Sequence, residues 1–276
     1  MKKIFTLTVL LMFCSLISIG QTDFSIHFGG LKPTGYYGYE NNENSLALYS
    51  KHSEYAGTGI GLNAGAKLRF SIPKVKGLGV IGSLDVFYNG LNKENKELFE
   101  EAYKDTYPIE DKFYDIRTKS NYPNIINLPI MLGVNYQYGI NENISLWAEC
   151  AFGLNYRMIT SHKYKMSYKW DYESHYYGNA DFTHSISYKL SYNFKNNVTF
   201  GRQIGFGVMF AQRFSIGLHY YNLGGKSKSV ISEYEWSKTD HSTYNGGHTN
   251  TKDVEDDITG GKFNASMLVL RFGIHF

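Results

Sequence analysis

Apolar residues recur at even-numbered positions in eight separate stretches of this chain, with polar residues and glycines on the odd positions between them. Asp23 to Gly30 sets Phe24, Ile26 and Phe28 on one side. Thr58 to Ile72 sets Ile60, Leu62, Leu68 and Phe70 against Asn63, Lys67 and Arg69. Leu78 to Leu91 sets Val80, Leu84, Val86 and Tyr88 against Asp85 and Asn89. Ile126 to Tyr138, Ile144 to Met158, Phe200 to Phe210 and Phe214 to Leu223 keep the rule. In the last stretch, Ser266 to Phe276, the residues Leu268, Leu270, Phe272, Ile274 and Phe276 oppose Arg271, Gly273 and His275. A strand sends successive side chains to opposite faces, so a period of two predicts eight two-faced strands.

The connections alternate in length. Pro73 to Gly77, Gly139 to Asn143 and Ala211 to Arg213 are short, whereas Leu31 to Gly57, Asn92 to Tyr122, Ile159 to Thr199 and Gly224 to Lys262 are long and polar. That plan predicts an all-β fold, a closed antiparallel up-and-down transmembrane β-barrel of eight strands. Its long loops would be extracellular and both its termini periplasmic. Within the third long connection, Tyr164 to Trp170 and Ser185 to Phe194 also alternate. They are expected as a ribbon continuing the fifth and sixth strands, or else as two more strands of a ten-stranded wall. Lys93 to Lys104 pairs Leu98 with Ala102 and Phe99 with Tyr103 at helical spacing, which predicts a short helix capping the barrel mouth.

A water-soluble barrel would turn its apolar faces inward around a ligand. The minor faces here carry Lys67, Arg69, Asp85, Glu149, Arg157 and Arg271, whereas the even faces are almost free of charge. An uncharged wall suits lipid, and strands cross a bilayer only as a closed barrel, where every backbone group finds a partner.

The N-terminus fits export. Met1-Lys2-Lys3 is positive, Ile4 to Ile19 is mostly apolar, and Ser18-Ile19-Gly20 suits cleavage after Gly20. The expected division is a signal peptide at 1–20 and a barrel domain at 21–276. Cys14 would leave with the signal, so Cys150 would have no partner for an internal disulfide. Loss of Lys2 and Lys3 lowers the formal charge from +3 to +1, which gives no pull toward nucleic acid.

The final strand, ending on Leu270, Phe272, Ile274 and Phe276, resembles the closing strand of bacterial outer-membrane barrels. The resemblance implies that these residues form an assembly signal read by the barrel-assembly machinery. Tyr122-Pro123-Asn124-Ile125-Ile126-Asn127-Leu128-Pro129-Ile130-Met131-Leu132, the glycine-bearing Trp147 to Gly153, and Gln21 after the cleavage point are similar to small outer-membrane barrels of Bacteroidota. Those barrels include the PorT-type secretion accessories. The likeness implies a setting of outer-membrane lipid and lipopolysaccharide and transfers no specific activity.

Side chains just fill the lumen of an eight-stranded barrel. Met131, Trp147, Gln203, Met209, Tyr221 and Arg271, with the other charged residues, are expected to plug it. Lys67 and Arg69 are expected to meet Asp85, and Glu149 to meet Arg157 or Arg271. Inward glycines such as Gly207 and Gly217 are expected to let long side chains pack on backbone. Binding then falls to the loops, where Tyr36, Tyr37, Tyr39, Tyr176 and Tyr177 are candidate aromatics for a protein or glycan ligand. The alternative for these tyrosines is the interfacial girdle.

No catalytic, cofactor or metal site is expected. The loop residues His52, His162, His175, His184, His241 and His248 lack ligand spacing, and His184-Ser185 and His241-Ser242 sit in no nucleophile motif. The cluster Asp253, Glu255, Asp256 and Asp257 reads as a solvated turn. The leading expectation is a non-enzymatic structural or adhesion protein. A narrow channel or secretion accessory is the alternative, and a lipid-modifying enzyme comes third.

Overall fold

A computed structural model describes residues 22–38, 56–106, 114–174, 180–224, 227–242 and 248–276. The expected signal peptide at 1–20 lies outside the described residues. Eight strands close into one barrel: β1 (Thr22–Thr34), β2 (Thr58–Ser71), β3 (Leu78–Leu91), β5 (Asn124–Gly139), β6 (Ile144–Ile159), β9 (Asn197–Phe210), β10 (Phe214–Asn222) and β13 (Ser266–His275). Around the wall the order is β1-β13-β10-β9-β6-β5-β3-β2. Each neighbouring pair is antiparallel, and β1 closes the ring on β13 from Ser25 opposite His275 to Thr34 opposite Ser266.

The period of two sorts the side chains. Even-numbered residues stand outside, with Ile60 81 %, Phe206 63 % and Phe152 61 % exposed, while Asp85, Asn89, Asn127 and Asn155 are fully buried inside. A closed wall leaves no unpaired edge, and its exterior, charged only at Lys32 and Arg202 toward the long connections, matches hydrocarbon rather than water. Cys150, a free cysteine, stands on that outer face. The minor face is less uniformly polar than the sequence suggests. Leu31, Phe87, Ile125, Met131, Tyr221, Met267 and Val269 also point inward and form an apolar cluster.

At the short-turn end the backbone meets tight geometry with side-chain help. Asn141 accepts the backbone N–H groups of Asn143 and Ile144. Ala211 and Gln212 both hold positive φ, 48° and 55°, between β9 and β10. This left-handed pair is the hairpin turn whose twist matches the flanking strands, although neither residue is the usual glycine or asparagine.

The long connections are not loose. Four of the remaining strands leave the barrel as hairpins: β7 (His162–Ser174) with β8 (Ala180–Phe194), and β11 (Ser227–Ser242) with β12 (His248–Phe263). They join β4 (Tyr114–Asn121) in a separate sheet of order β12-β11-β8-β7-β4. The alternating pieces of the third connection are therefore the expected ribbon, and the wall has eight strands, not ten. The fourth connection, read as a polar loop, instead holds two 16-residue strands. Thus Asp253, Glu255, Asp256 and Asp257 lie on a strand and not in a turn.

The helix α1 (Lys93–Thr106) forms close to its expected bounds. Asn92 caps it by accepting the backbone N–H of Asn95. Its Phe99 is fully buried against rings of Tyr122, His162 and Tyr164. Through Phe99 the helix backs the separate sheet, where the sequence suggested a lid across the barrel mouth.

Candidate functional site

Two places gather chemistry: the filled lumen and the sheet beyond it. In the middle of the lumen the Arg271 guanidinium donates to Asp85 at 2.7 Å and to Asn63 at 2.8 Å. His27 lies 2.5 Å from the same Asp85 oxygen. Lys67 donates to Glu149 at 2.7 Å, Gln203 donates to the other Glu149 oxygen at 2.6 Å, and His219 lies beside it at 3.5 Å. The two carboxylates are each met by a cation and further polar groups, the condition for tolerating buried charge. Trp147 closes one side. Its indole lies under the Lys67 ammonium and against the backbone of Gly207 and Gly217, which face each other across β9 and β10.

The expected pairings are redrawn. Neither Lys67 nor Arg69 is the cation on Asp85; Arg69 donates to Asn135, Ser71 and the Gly77 carbonyl near the short turns. Glu149 is held by Lys67, not by Arg157 or Arg271. Arg157 sits fully buried toward the long-connection end, donating to Asn127 and the Leu223 carbonyl and lying over the Phe263 ring. Asn127 in turn donates to Tyr37, and Asn155 to Asn127. His27, Asn63 and His219 belong to the lumen network although the pairings expected from the sequence joined only charged residues, and Gln203, expected as part of the plug, is bonded into it as well. Their odd numbering in the same strands is the signal that finds them.

Tyr37 corrects another expectation. A short 3-10 turn at Gly35–Tyr37 swings this side chain inward, where it is 0 % exposed and stacked on Phe263. It packs the lumen end and offers nothing to a surface ligand. Tyr39, Tyr176 and Tyr177, and the side chain of Tyr36, lie outside the described residues. So do His52 and His175 and the side chains of His184, His241 and His248. Leu270, Phe272, Ile274 and Phe276 stand on the exposed outer face.

At the short-turn end a cavity of about 20 Å³ is bordered by Asp23, Lys67, Arg69, Asn135, Trp147 and His275. That volume holds about one water molecule. A larger apolar groove, about 450 Å³, lies over Ala66 and Gly82 and is lined by Leu68, Val80, Leu84 and Leu132 of the outer wall. Its place among exposed apolar side chains suits lipid tails.

The separate sheet has two unlike faces. One is aromatic: Tyr164, Met166, Tyr168, Ile186 and Leu190 are buried around Phe99 of α1. His162 belongs to it, hydrogen-bonded to Ser120 at 3.1 Å and packed between the rings of Tyr122 and Tyr192. Burial pushes the His162 pKa down to about 4, so the ring is neutral at pH 7. Burial also raises Tyr122, helped by its 2.6 Å hydrogen bond to the Glu100 carboxylate. The Ser120–His162 pair resembles half of a hydrolytic triad, but the imidazole is fully enclosed by rings, which fits packing rather than catalysis. The opposite face, of β4, β7 and β8, carries the exposed cations Arg117, Lys119, Lys163, Lys165, Lys169 and Lys189. Among the described residues no three histidine, cysteine or carboxylate side chains come together as a metal site.

Comparison with known proteins gives matches of shape only. No family model matches the chain, and no curated protein does. Among solved structures, the attachment invasion locus protein Ail of Yersinia pestis is similar at 15 % identity over 93 % of this chain and 99 % of that one, with a TM-score of 0.34. A major outer membrane protein from Thermus thermophilus gives 12 % identity over 92 % and 99 %, with a TM-score of 0.37. The outer membrane protein OprG from Pseudomonas aeruginosa gives 13 % identity over 93 % and 97 %, with a TM-score of 0.33. At these values no role passes from them to this chain.

Proposed function

We propose that this protein is an integral outer-membrane barrel with a sealed lumen that serves as a non-enzymatic base for an extracellular binding sheet. The observation that carries this reading is the pairing of a filled interior with five strands and a helix gathered beyond one end of the wall. A transport pore would need an open path, and the lumen space at the short-turn end fits about one water. Binding surfaces are carried on connections held by a rigid scaffold, and here the scaffold strands run on toward the surface themselves. In this reading residues 1–20 direct export, the short turns face the periplasm, and lipopolysaccharide surrounds the wall. Kinship with the small barrels of Bacteroidota rests on the pieces Tyr122 to Leu132 and Trp147 to Gly153.

The orientation is tested with single cysteines in a Cys150→Ser background. On intact cells, a membrane-impermeant maleimide is expected to label Lys165→Cys, in the sheet. It is expected to label Lys74→Cys, in the β2–β3 turn, only after the outer membrane is permeabilised. The reverse pattern would place the sheet in the periplasm and end the adhesion reading.

A further inference from the structure

We propose that the exposed face of the separate sheet binds a sulfated polysaccharide chain from outside the cell. This deepens, and rests on, the reading of the sheet as an extracellular binding surface. Register and burial define the face. Lys163, Lys165 and Lys169 alternate on β7 with the buried Tyr164, Met166 and Tyr168. Lys119 of β4 stands directly opposite Lys165, and Lys165 directly opposite Lys189 of β8. Arg117 lies one step along β4 on the same face. Six exposed cations thus cover three adjacent strands. Asp115 pairs with Arg117 at 2.8 Å and with Lys169 at 3.3 Å. By register Asp171 and Glu173 of β7 and Asp181 of β8 continue the face beyond Lys169, and Glu235 of β11 stands opposite Ser191 at its other end. The cations are therefore concentrated around the row Lys119, Lys165 and Lys189.

A row of three lysines across neighbouring strands opposes sheet formation. Strands lie about 4.8 Å apart, and like charges directly opposite each other destabilise a sheet. Cations on an edge strand guard against unwanted pairing, and that accounts for Arg117 and Lys119 on β4. It does not account for Lys165 and Lys189, which lie on interior strands of the sheet. An anionic ligand across the row removes the conflict.

The surroundings of the row select the class of anion. Ser167, Ser185 and Ser187 lie between the cations by register. Hydroxyls and ammonium groups suit sulfate oxygens and sugar hydroxyls. By register this face carries one aromatic residue, Tyr114 opposite Lys169 at its end, whereas single-stranded nucleic acid needs a succession of rings on which to stack its bases. The row of Lys119, Lys165 and Lys189 is itself flanked by serines and not by the aromatic or apolar anchor on which protein interfaces turn. The lipid source of the same chemistry, phosphate on a headgroup, is disfavoured by extent. From Lys163 to Lys169 the patch runs about 20 Å along the strand, against a headgroup layer of roughly 5–7 Å on one side of a bilayer. A polymer covers that length where a headgroup contacts only part of it.

The test uses the folded full-length barrel in nanodiscs of neutral lipid, with dextran sulfate and unsulfated dextran of equal length as probes. Dextran sulfate is expected to bind, to weaken steeply as sodium chloride is raised, and to raise the Tm of the sheet; plain dextran is expected to do neither. Lys119→Ser/Lys165→Ser/Lys189→Ser is expected to bind at least tenfold more weakly. Its unliganded Tm is expected to equal or exceed that of the parent, because the repulsive row is gone. Lys74→Ser/Lys76→Ser, at the other end of the barrel, is expected to bind as the parent does. The inference is overturned if dextran sulfate binds parent and triple variant alike, or binds neither. It is equally overturned if the sheet captures lipopolysaccharide in mixed vesicles but ignores dextran sulfate. Because cysteine labelling reads orientation without any ligand, a sheet that labels on intact cells but fails to bind would sink this inference alone.

Discussion

Asp85→Leu is expected to cost about 3–5 kcal/mol of barrel stability, the range for removing one partner from a buried ion pair. Asp85 is fully buried and accepts from Arg271, with His27 and Ser83 beside it. Without that carboxylate, Arg271 keeps its bond to Asn63 but remains a buried cation facing lumen rings. Adding Arg271→Met removes the stranded charge, so the double variant is expected to be more stable than Asp85→Leu alone. This non-additivity is the mark of groups acting as one unit. Denaturant midpoints of the refolded barrel, with slopes compared to confirm a common unfolding transition, measure both effects. A loss below about 1 kcal/mol for Asp85→Leu would mean that water reaches Arg271 and that the lumen is not dry.

Gly217→Val is the second large effect, expected at about 1–3 kcal/mol from overpacking. A side chain at Gly217 points inward, where its Cβ meets the Cζ2 and Cη2 atoms of Trp147. Gly207, directly across on β9, is blocked by the same indole and by the Ile216 carbonyl. Neither strand yields easily, because β9 and β10 are bonded to neighbours on both sides. Trp147→Leu makes room at the cost of a cavity. The pair Gly217→Val/Trp147→Leu is therefore expected to recover part of the loss, as read from the same unfolding midpoints. If the double variant is worse than either single one, the glycine pair serves the curvature of the wall and not the seating of the indole.

The wall was legible because lipid on one side and a packed lumen on the other impose a strict period of two. Phe24 to Phe28 and Leu268 to Phe276 show it without exception. Which inward residues meet was not legible. Lys67 stands opposite Ser83, and it is Gly65 that stands opposite Asp85. A long side chain in a narrow lumen reaches strands far away in sequence, as Lys67 reaches Glu149 on β6. Strand parity fixes a residue's side but not its height in a tilted barrel or its partner across it. β11 and β12 escaped for the opposite reason: both carry charges at even and odd positions, and the one short alternation, Tyr234 and Trp236 between Glu233, Glu235 and Ser237, is too brief to mark a 16-residue strand. Tyr37 was misplaced because one 3-10 turn redirects it inward. The cationic face was hidden too, since Lys119, Lys165 and Lys189 are far apart in sequence and come together only through register.

The central claim, a sealed barrel whose work lies beyond the membrane, is tested most directly by single-channel recording of the purified protein in planar bilayers. Insertion is verified by heat-modifiable migration of the recovered sample. A silent membrane is the expected result, because Asp85, Arg271, Glu149, Lys67 and Trp147 occupy the path. Stable conductance steps that vary with salt would contradict the account. They would reassign Lys67, Asp85, Glu149 and Arg271 from a plug to the lining of a pore.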